Sequence, residues 1–200
     1  MKIKENLIYC LCFFLLLVSC GDDKSSQGDT YFGNEQYEEA ITAYNRVLEN
    51  NPKNVKALYN RGRSYEELGN LEEAEKDFKA ALNEDNKNVQ VLLSLSNLYQ
   101  KKKQHEMALQ YADYAVQIPG APATAYFLKG RAYHQLGNTQ NALTEYNAAI
   151  KMDPKSGQAY YYRGMLKLAT NSKSGGCEDL KSAVGLDHAQ AKEALEQNCQ

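Results

Sequence analysis

A sequence period of about 34 residues constrains this chain more than any other feature. Gly62, Gly130 and Gly164 are separated by two periods and by one; Gly28 stands one period before Gly62, and Ser96 fills the remaining slot. The same frame aligns Tyr31, Tyr65, Tyr99 and Tyr133, with Lys167 breaking the column. A second column is Ala40, Ala74, Ala108, Ala142 and Gly176. A third reads Tyr44, Phe78, Ala112, Tyr146, Leu180, and a fourth Val47, Ala81, Ala115, Ala149, Ala183. Pro52 and Pro154 close their repeats at matching positions. Columns held in register over five copies describe a stack of equivalent units, none able to bury its apolar face alone.

These residues resemble the tetratricopeptide repeat, a unit of two antiparallel helices in about 34 residues. The resemblance covers about residues 21–187. It implies an all-α, right-handed superhelical solenoid of about five helix pairs. The repeats fall near 21–54, 55–88, 89–122, 123–156 and 157–187, the array proper being 30–187. Within them the expected helix pairs are 27–34 with 37–50, 55–68 with 71–84, 89–102 with 105–117, 123–136 with 139–152, and 157–170 with 175–186. The small residues let paired helices approach, and the rings of Tyr65, Phe78, Tyr133 and Tyr146 fill the volume between repeats. Gly69 and Gly137, each followed by Asn, stop the first helix and make the turn. Lys103-Gln104 and Asn171-Ser172 stand there in repeats three and five, and Gly33 comes two places early, so the first helix is expected to be short. Pro119 and Pro122 impose a turn. Residues 188–200 carry Ala191, Ala194 and Leu195 at helical spacing with a polar back, which predicts a capping helix for the exposed last repeat.

The first twenty residues follow other rules. Lys2 and Lys4 precede an apolar run from Leu7 to Val18, short of the roughly 20 residues that a spanning helix needs. A basic start and a short apolar core are the form of a secretory signal peptide. The run ends in Leu17-Val18-Ser19-Cys20-Gly21, which resembles a bacterial lipoprotein signal. That resemblance implies cleavage of residues 1–19 and a lipid on Cys20. Residues 20–29, small and polar, read as a flexible tether. Asp22-Asp23 resembles the acidic start that some lipoproteins use for surface export. The expected location is therefore the bacterial cell envelope, membrane-anchored, with the outer membrane favoured.

Composition narrows the function classes. Lys+Arg is 23 against Asp+Glu 25, so the chain lacks the basic excess with which nucleic-acid binders meet phosphates. The three histidines, His105, His134 and His188, form no HExxH-like pair, and no phosphate-cradling glycine loop or Gly-x-Ser-x-Gly elbow occurs. Acidic pairs such as Glu66-Glu67 and Glu72-Glu73 read as solvated helix faces. Cys177, His188 and Cys199 would lack a fourth ligand for a structural metal. No cofactor, metal or catalytic residue is expected. After signal removal Cys177 and Cys199 are left with Cys20. Antiparallel succession places the start of one helix beside the end of the next, so the pair is brought together, as a disulfide in an oxidising compartment or as two free thiols.

What is expected to act is a surface. In the tetratricopeptide solenoid the first helix of each pair lines the concave face. Carried to this chain, that implies a groove of Tyr59, Asn60 and Arg63; Leu93, Ser94 and Asn97; Phe127, Leu128 and Arg131; and Tyr161, Tyr162 and Met165. Aromatic residues beside arginines are enriched at protein-binding hot spots. One subclass of the family clamps a C-terminal carboxylate with Lys, Arg and Asn, but Tyr59, Ser94 and Leu128 stand at such places here, so the clamp does not carry over. The expected role is a lipid-anchored scaffold that binds a protein or peptide partner and touches the membrane through Cys20. The alternative is a glycan or small-ligand binder using the Tyr-rich groove.

Overall fold

The computed structural model describes residues 24–199. The signal segment, Cys20 and residues 20–23 of the expected tether lie outside the described residues. Among those described there are eleven α-helices and no strand: α1 Lys24–Gly33, α2 Tyr37–Asn50, α3 Val55–Glu67, α4 Leu71–Glu84, α5 Val89–Lys101, α6 His105–Val116, α7 Ala123–Gln135, α8 Thr139–Met152, α9 Gly157–Ala169, α10 Lys173–Gly185 and α11 Ala191–Asn198. Each helix packs on its sequence neighbours, and α1 on α3, α5 on α7 and α7 on α9 join the first helices of successive repeats. This is the solenoid that the repeat implied. None of these helices is long and apolar enough to cross a membrane.

Three of the four glycines in the column face a ring. A Cβ built on Gly62 would stand 2.8 Å from the Phe78 ring, and one on Gly130 2.7 Å from the Tyr146 ring, closer than carbon atoms approach. Repeat three shows the same rule from the other side. There the opposing residue is Ala112, so the first helix can carry Ser96, whose buried hydroxyl donates to the Ala108 carbonyl at 2.9 Å. At the centre of the stack, α5 is covered on both sides and buries eight of its 13 residues, Val91, Leu92, Leu95 and Leu98 among them. Burying each such side chain is worth about 1.5–3 kcal/mol. One continuous apolar cluster runs from Ala40 to Leu166.

The turn inside each repeat needs one left-handed residue, and it falls in a single column: Glu35 (φ 61°), Gly69 (77°), Lys103 (57°), Gly137 (75°) and Asn171 (62°). Three of the five repeats therefore hold a residue other than glycine in a conformation that costs it roughly 1–2 kcal/mol. The backbone closes identically each time. The amide of the next residue reaches back to donate to the carbonyl of Tyr31, Tyr65, Tyr99, Tyr133 or Lys167. The lack of Gly at the first, third and fifth turns thus changes the cost of the turn and leaves its geometry intact. Between repeats, Asn54, Asn88 and Ser156 accept hydrogen bonds from the Ala57, Val91 and Ala159 amides and cap the following helices.

Two boundaries differ from the expected ones. Residues 24–29, read as tether, form the first turns of α1. Gly28 lies against the Tyr44 ring, where a Cβ would stand 2.5 Å from ring carbon. Asp29 is held by the Tyr44 hydroxyl (2.7 Å), the Asn60 amide (2.8 Å) and the Lys56 ammonium (2.7 Å). Burial pulls the Asp29 carboxyl upward, but these three donors outweigh it and hold it below the usual range. At the other end α10 starts at Lys173 rather than 175. The capping helix is present as α11, which buries Ala191 and Ala194.

Candidate functional site

The first helices place the groove residues by helical spacing, because residues four apart share a face. On α7 this sets Arg131 over the ring of Phe127, 5.8 Å from guanidinium carbon to centroid. Tyr162 of α9 comes in from the next repeat. Its ring meets Phe127 edge to face at 5.5 Å and lies 5.4 Å from the same guanidinium. Two repeats away, Arg63 of α3 lies 4.6 Å over Phe32 of α1. Tyr59 is half-buried, tilted against Phe78, with its hydroxyl 3.5 Å from the Ser94 hydroxyl. Asn97, half-buried on α5, occupies the column between the two arginines. Arg63, Asn97, Arg131 and Tyr162 are each half-buried, the first three in one column.

Other members of the expected groove belong to the interior. Phe127 is only 4% exposed and Leu93 7%, and Leu128 is buried as well. Phe127 is drawn in because Tyr146 and Tyr162 close around it. Asn60 spends its amide on Asp29 of α1, so it ties two repeats together instead of facing a ligand. Tyr161 stacks on His188 at 4.4 Å, which covers one face of its ring. The expected aromatic stripe Tyr59, Leu93, Phe127, Tyr161 is mostly packing. The polar column Arg63, Asn97, Arg131 stays half-buried.

Apart from the exposed Arg46, the arginines fall into two groups. Arg61 makes a bidentate pair with Asp77, both bonds 2.7 Å, and donates to Asn45 at 2.6 Å. Arg163 repeats this three repeats later, on Asp179 (2.8 and 2.6 Å) and Asn147 (2.6 Å). Lys129 does likewise with Glu145 and Asp113, at 3.2 and 2.8 Å. Each triad joins the two helices of a repeat to the second helix of the repeat before. Repeat three substitutes an apolar version, Leu95 with Tyr111, which stacks on Tyr99 at 5.4 Å. These triads were missed in the sequence, where acidic residues read as solvated. Their signal was available: Arg61, Lys129 and Arg163 share one column, and Asp77, Glu145 and Asp179 share another in the second helix of the same repeat. Arg63 and Arg131, by contrast, rest on rings. Among the described residues no ion pair of either is formed with a carboxylate of its own column, since Asp29 is taken by Lys56, Tyr44 and Asn60.

A fourth polar knot joins α4 to the C-terminal end of α5. Glu75 accepts from Lys102 (2.6 Å), Lys79 (2.7 Å) and the Tyr99 hydroxyl (2.7 Å). Burial raises the Glu75 carboxyl, but these donors prevail and bring it down to about 2. A carboxyl lower in the folded than in the unfolded chain stabilises the fold above its unfolded pKa, and that stability is lost as pH falls through the folded one. Glu75→Gln should therefore lose less stability than the parent chain between about pH 4.5 and 2, as read from paired urea titrations.

At the C-terminal end the Cys177 and Cys199 sulfurs are bonded, with Cα atoms 5.7 Å apart, which ties α11 to α10. No group of three or more His, Cys, Asp or Glu among the described residues is placed to hold a metal.

Two family models, both described as tetratricopeptide repeat, match residues 26–89 and 95–167, together well over half of the chain. Anaphase-promoting complex subunit 3 of Schizosaccharomyces pombe is 22% identical over 161 residues, 80% of this chain but 24% of that protein. The chain spans less than a third of the length of the curated relatives it matches first. Among solved structures, the crystal structure of MamA superposes with a TM-score of 0.72 at 23% identity, over 82% of this chain and 96% of that one. YrrB, described as a TPR protein with an unusual peptide-binding site, gives 0.69 at 24% identity, over 86% and 90%. At such identities these two structures speak for the fold alone. With the repeat columns, the eleven helices and both family matches in agreement, the chain belongs to the tetratricopeptide-repeat proteins.

Proposed function

We propose that this protein is a lipid-anchored adaptor of the bacterial envelope that holds a partner protein or peptide in its concave groove. The observation that carries the reading is the half-buried Arg131 lying by the ring of Tyr162 and over the buried Phe127, echoed by Arg63 on Phe32 two repeats earlier. Guanidinium groups held on aromatic rings are the composition of binding hot spots. The anchoring half rests on the residues themselves, Lys2 and Lys4, the run Leu7–Val18 and the Cys20 that ends it. A glycan platform finds less support, since Phe127 is buried and His188 covers Tyr161.

The test is in cells. A photo-crosslinking residue at Asn97 or Tyr162 should capture a partner that one at Lys76 on the convex face does not, with mass spectrometry naming it. Equal capture from both faces would remove the groove from the account. In the same cells Cys20→Ala should leave unprocessed or soluble protein, and firm membrane attachment of a cleaved Cys20→Ala chain would remove the lipid.

A further inference from the structure

The geometry points to an extended acidic peptide as the occupant of the groove, anchored by two carboxylates about five or six residues apart. This rests on the reading of the groove as a protein-binding surface and goes beyond it by naming the chemistry. The chain has five arginines. Arg61 and Arg163 are neutralised inside their triads. Lys56 is likewise occupied by Asp29, Lys101 by Glu66, Lys129 by Asp113 and Glu145, and Lys167 by Asp179. Arg46 is exposed on the second helix α2, so the first-helix arginines without an ion pair among the described residues are Arg63 and Arg131, with the exposed Glu67 one turn beyond Arg63.

Both guanidinium groups lie by aromatic rings, Arg63 4.6 Å from the Phe32 centroid and Arg131 5.4 Å from that of Tyr162 and 5.8 Å from that of Phe127. A guanidinium fits a carboxylate bidentately and a neutral amide poorly. Asn97 stands between them in the same column, with both a donor and an acceptor, as a peptide unit requires. Helices in contact run about 8–10 Å apart, so two repeats separate the arginines by roughly 16–20 Å. An extended chain rises about 3.3 Å per residue, which sets the spacing of the two acids. The second helices carry exposed Glu38, Glu39, Glu72 and Glu73, which repel such a peptide from the outer face.

The test is selection of a random peptide library displayed on phage against the detergent-solubilised full-length protein. Enriched peptides should carry two Asp or Glu about five or six residues apart, and their binding should weaken as salt rises. Arg131→Gln should weaken the enriched peptides at least about tenfold. Arg131→Lys, which keeps the charge, should still select acidic sequences. Arg131→Glu should abolish that selection while helix content and melting stay as in the parent. Enrichment of neutral or basic peptides overturns the proposal. If the groove crosslinks a partner in cells yet selects such peptides, the adaptor reading stands and the acidic one falls. If it does neither, both fall.

Discussion

Asp179→Ala is expected to destabilise the protein by about 3 kcal/mol, the largest effect of any single polar substitution in the array. Asp179 is 4% exposed and accepts from Arg163 through two bonds and from Lys167 at 2.8 Å. Removing it strands a guanidinium that only Asn147 can still satisfy, and a buried unpaired charge costs more than the pair ever contributed. For a chain of this size the melting temperature should fall by roughly 6–12 °C. Because each repeat touches only its neighbours, the loss should be local. Amides of α9, α10 and α11 should exchange faster in deuterated buffer, and those of α3 and α4 should not. A second prediction separates charge from packing. Replacing Arg163 with Met and Asp179 with Leu together should recover most of the loss, since an apolar pair of similar volume substitutes well for a buried ion pair. A double variant as unstable as Asp179→Ala would contradict this reading of the triad.

Cys199→Ser comes next in size. The bond to Cys177 closes a segment of 22 residues, for which the chain-entropy relation gives roughly 3 kcal/mol. The local need for it is evident. Leu180, Ala183, Ala191 and Ala194 are buried outside the continuous apolar cluster, and Leu180 stands where repeats one, two and four have Tyr or Phe. At eight residues, α11 is below the length at which a helix persists by itself. In Cys199→Ser, or in the reduced parent, the α11 amides should exchange at nearly the rate of unstructured chain while α1–α8 keep their protection. Protection of α11 that survives reduction would show that Ala191 and Ala194 suffice to hold it.

The array was legible in the sequence because its columns record contacts made within one repeat. Gly62 faces Phe78 and Gly130 faces Tyr146 across a single helix pair, so the two columns change together, as Ser96 with Ala112 shows. The start of α1 was not legible, for residues 24–29 are polar and owe their helix to partners far along the chain, Tyr44 and Asn60. The groove was half legible. Arg63, Asn97 and Arg131 stood out as a donor column, and the structure leaves all three half-buried, the two arginines against rings. An apolar column gives no sign of which side it faces, and Leu93 and Phe127 went inward. The triads escaped because a lone Asp on a helix reads as solvated. Only its pairing with a cation on the first helix of the same repeat, seen again and again in Arg61–Asp77, Lys129–Glu145 and Arg163–Asp179, marks it as interior.

The central claim, that this solenoid works through its concave face, is tested most directly by amide chemical-shift mapping of the isotopically labelled protein titrated with the partner segment that the groove captures. The account predicts perturbations that recur once per repeat, near 59–63, 93–97, 127–131 and 161–165, with α4, α6 and α8 silent. Shifts confined to α4, α6 and α8, or without that period, would contradict it.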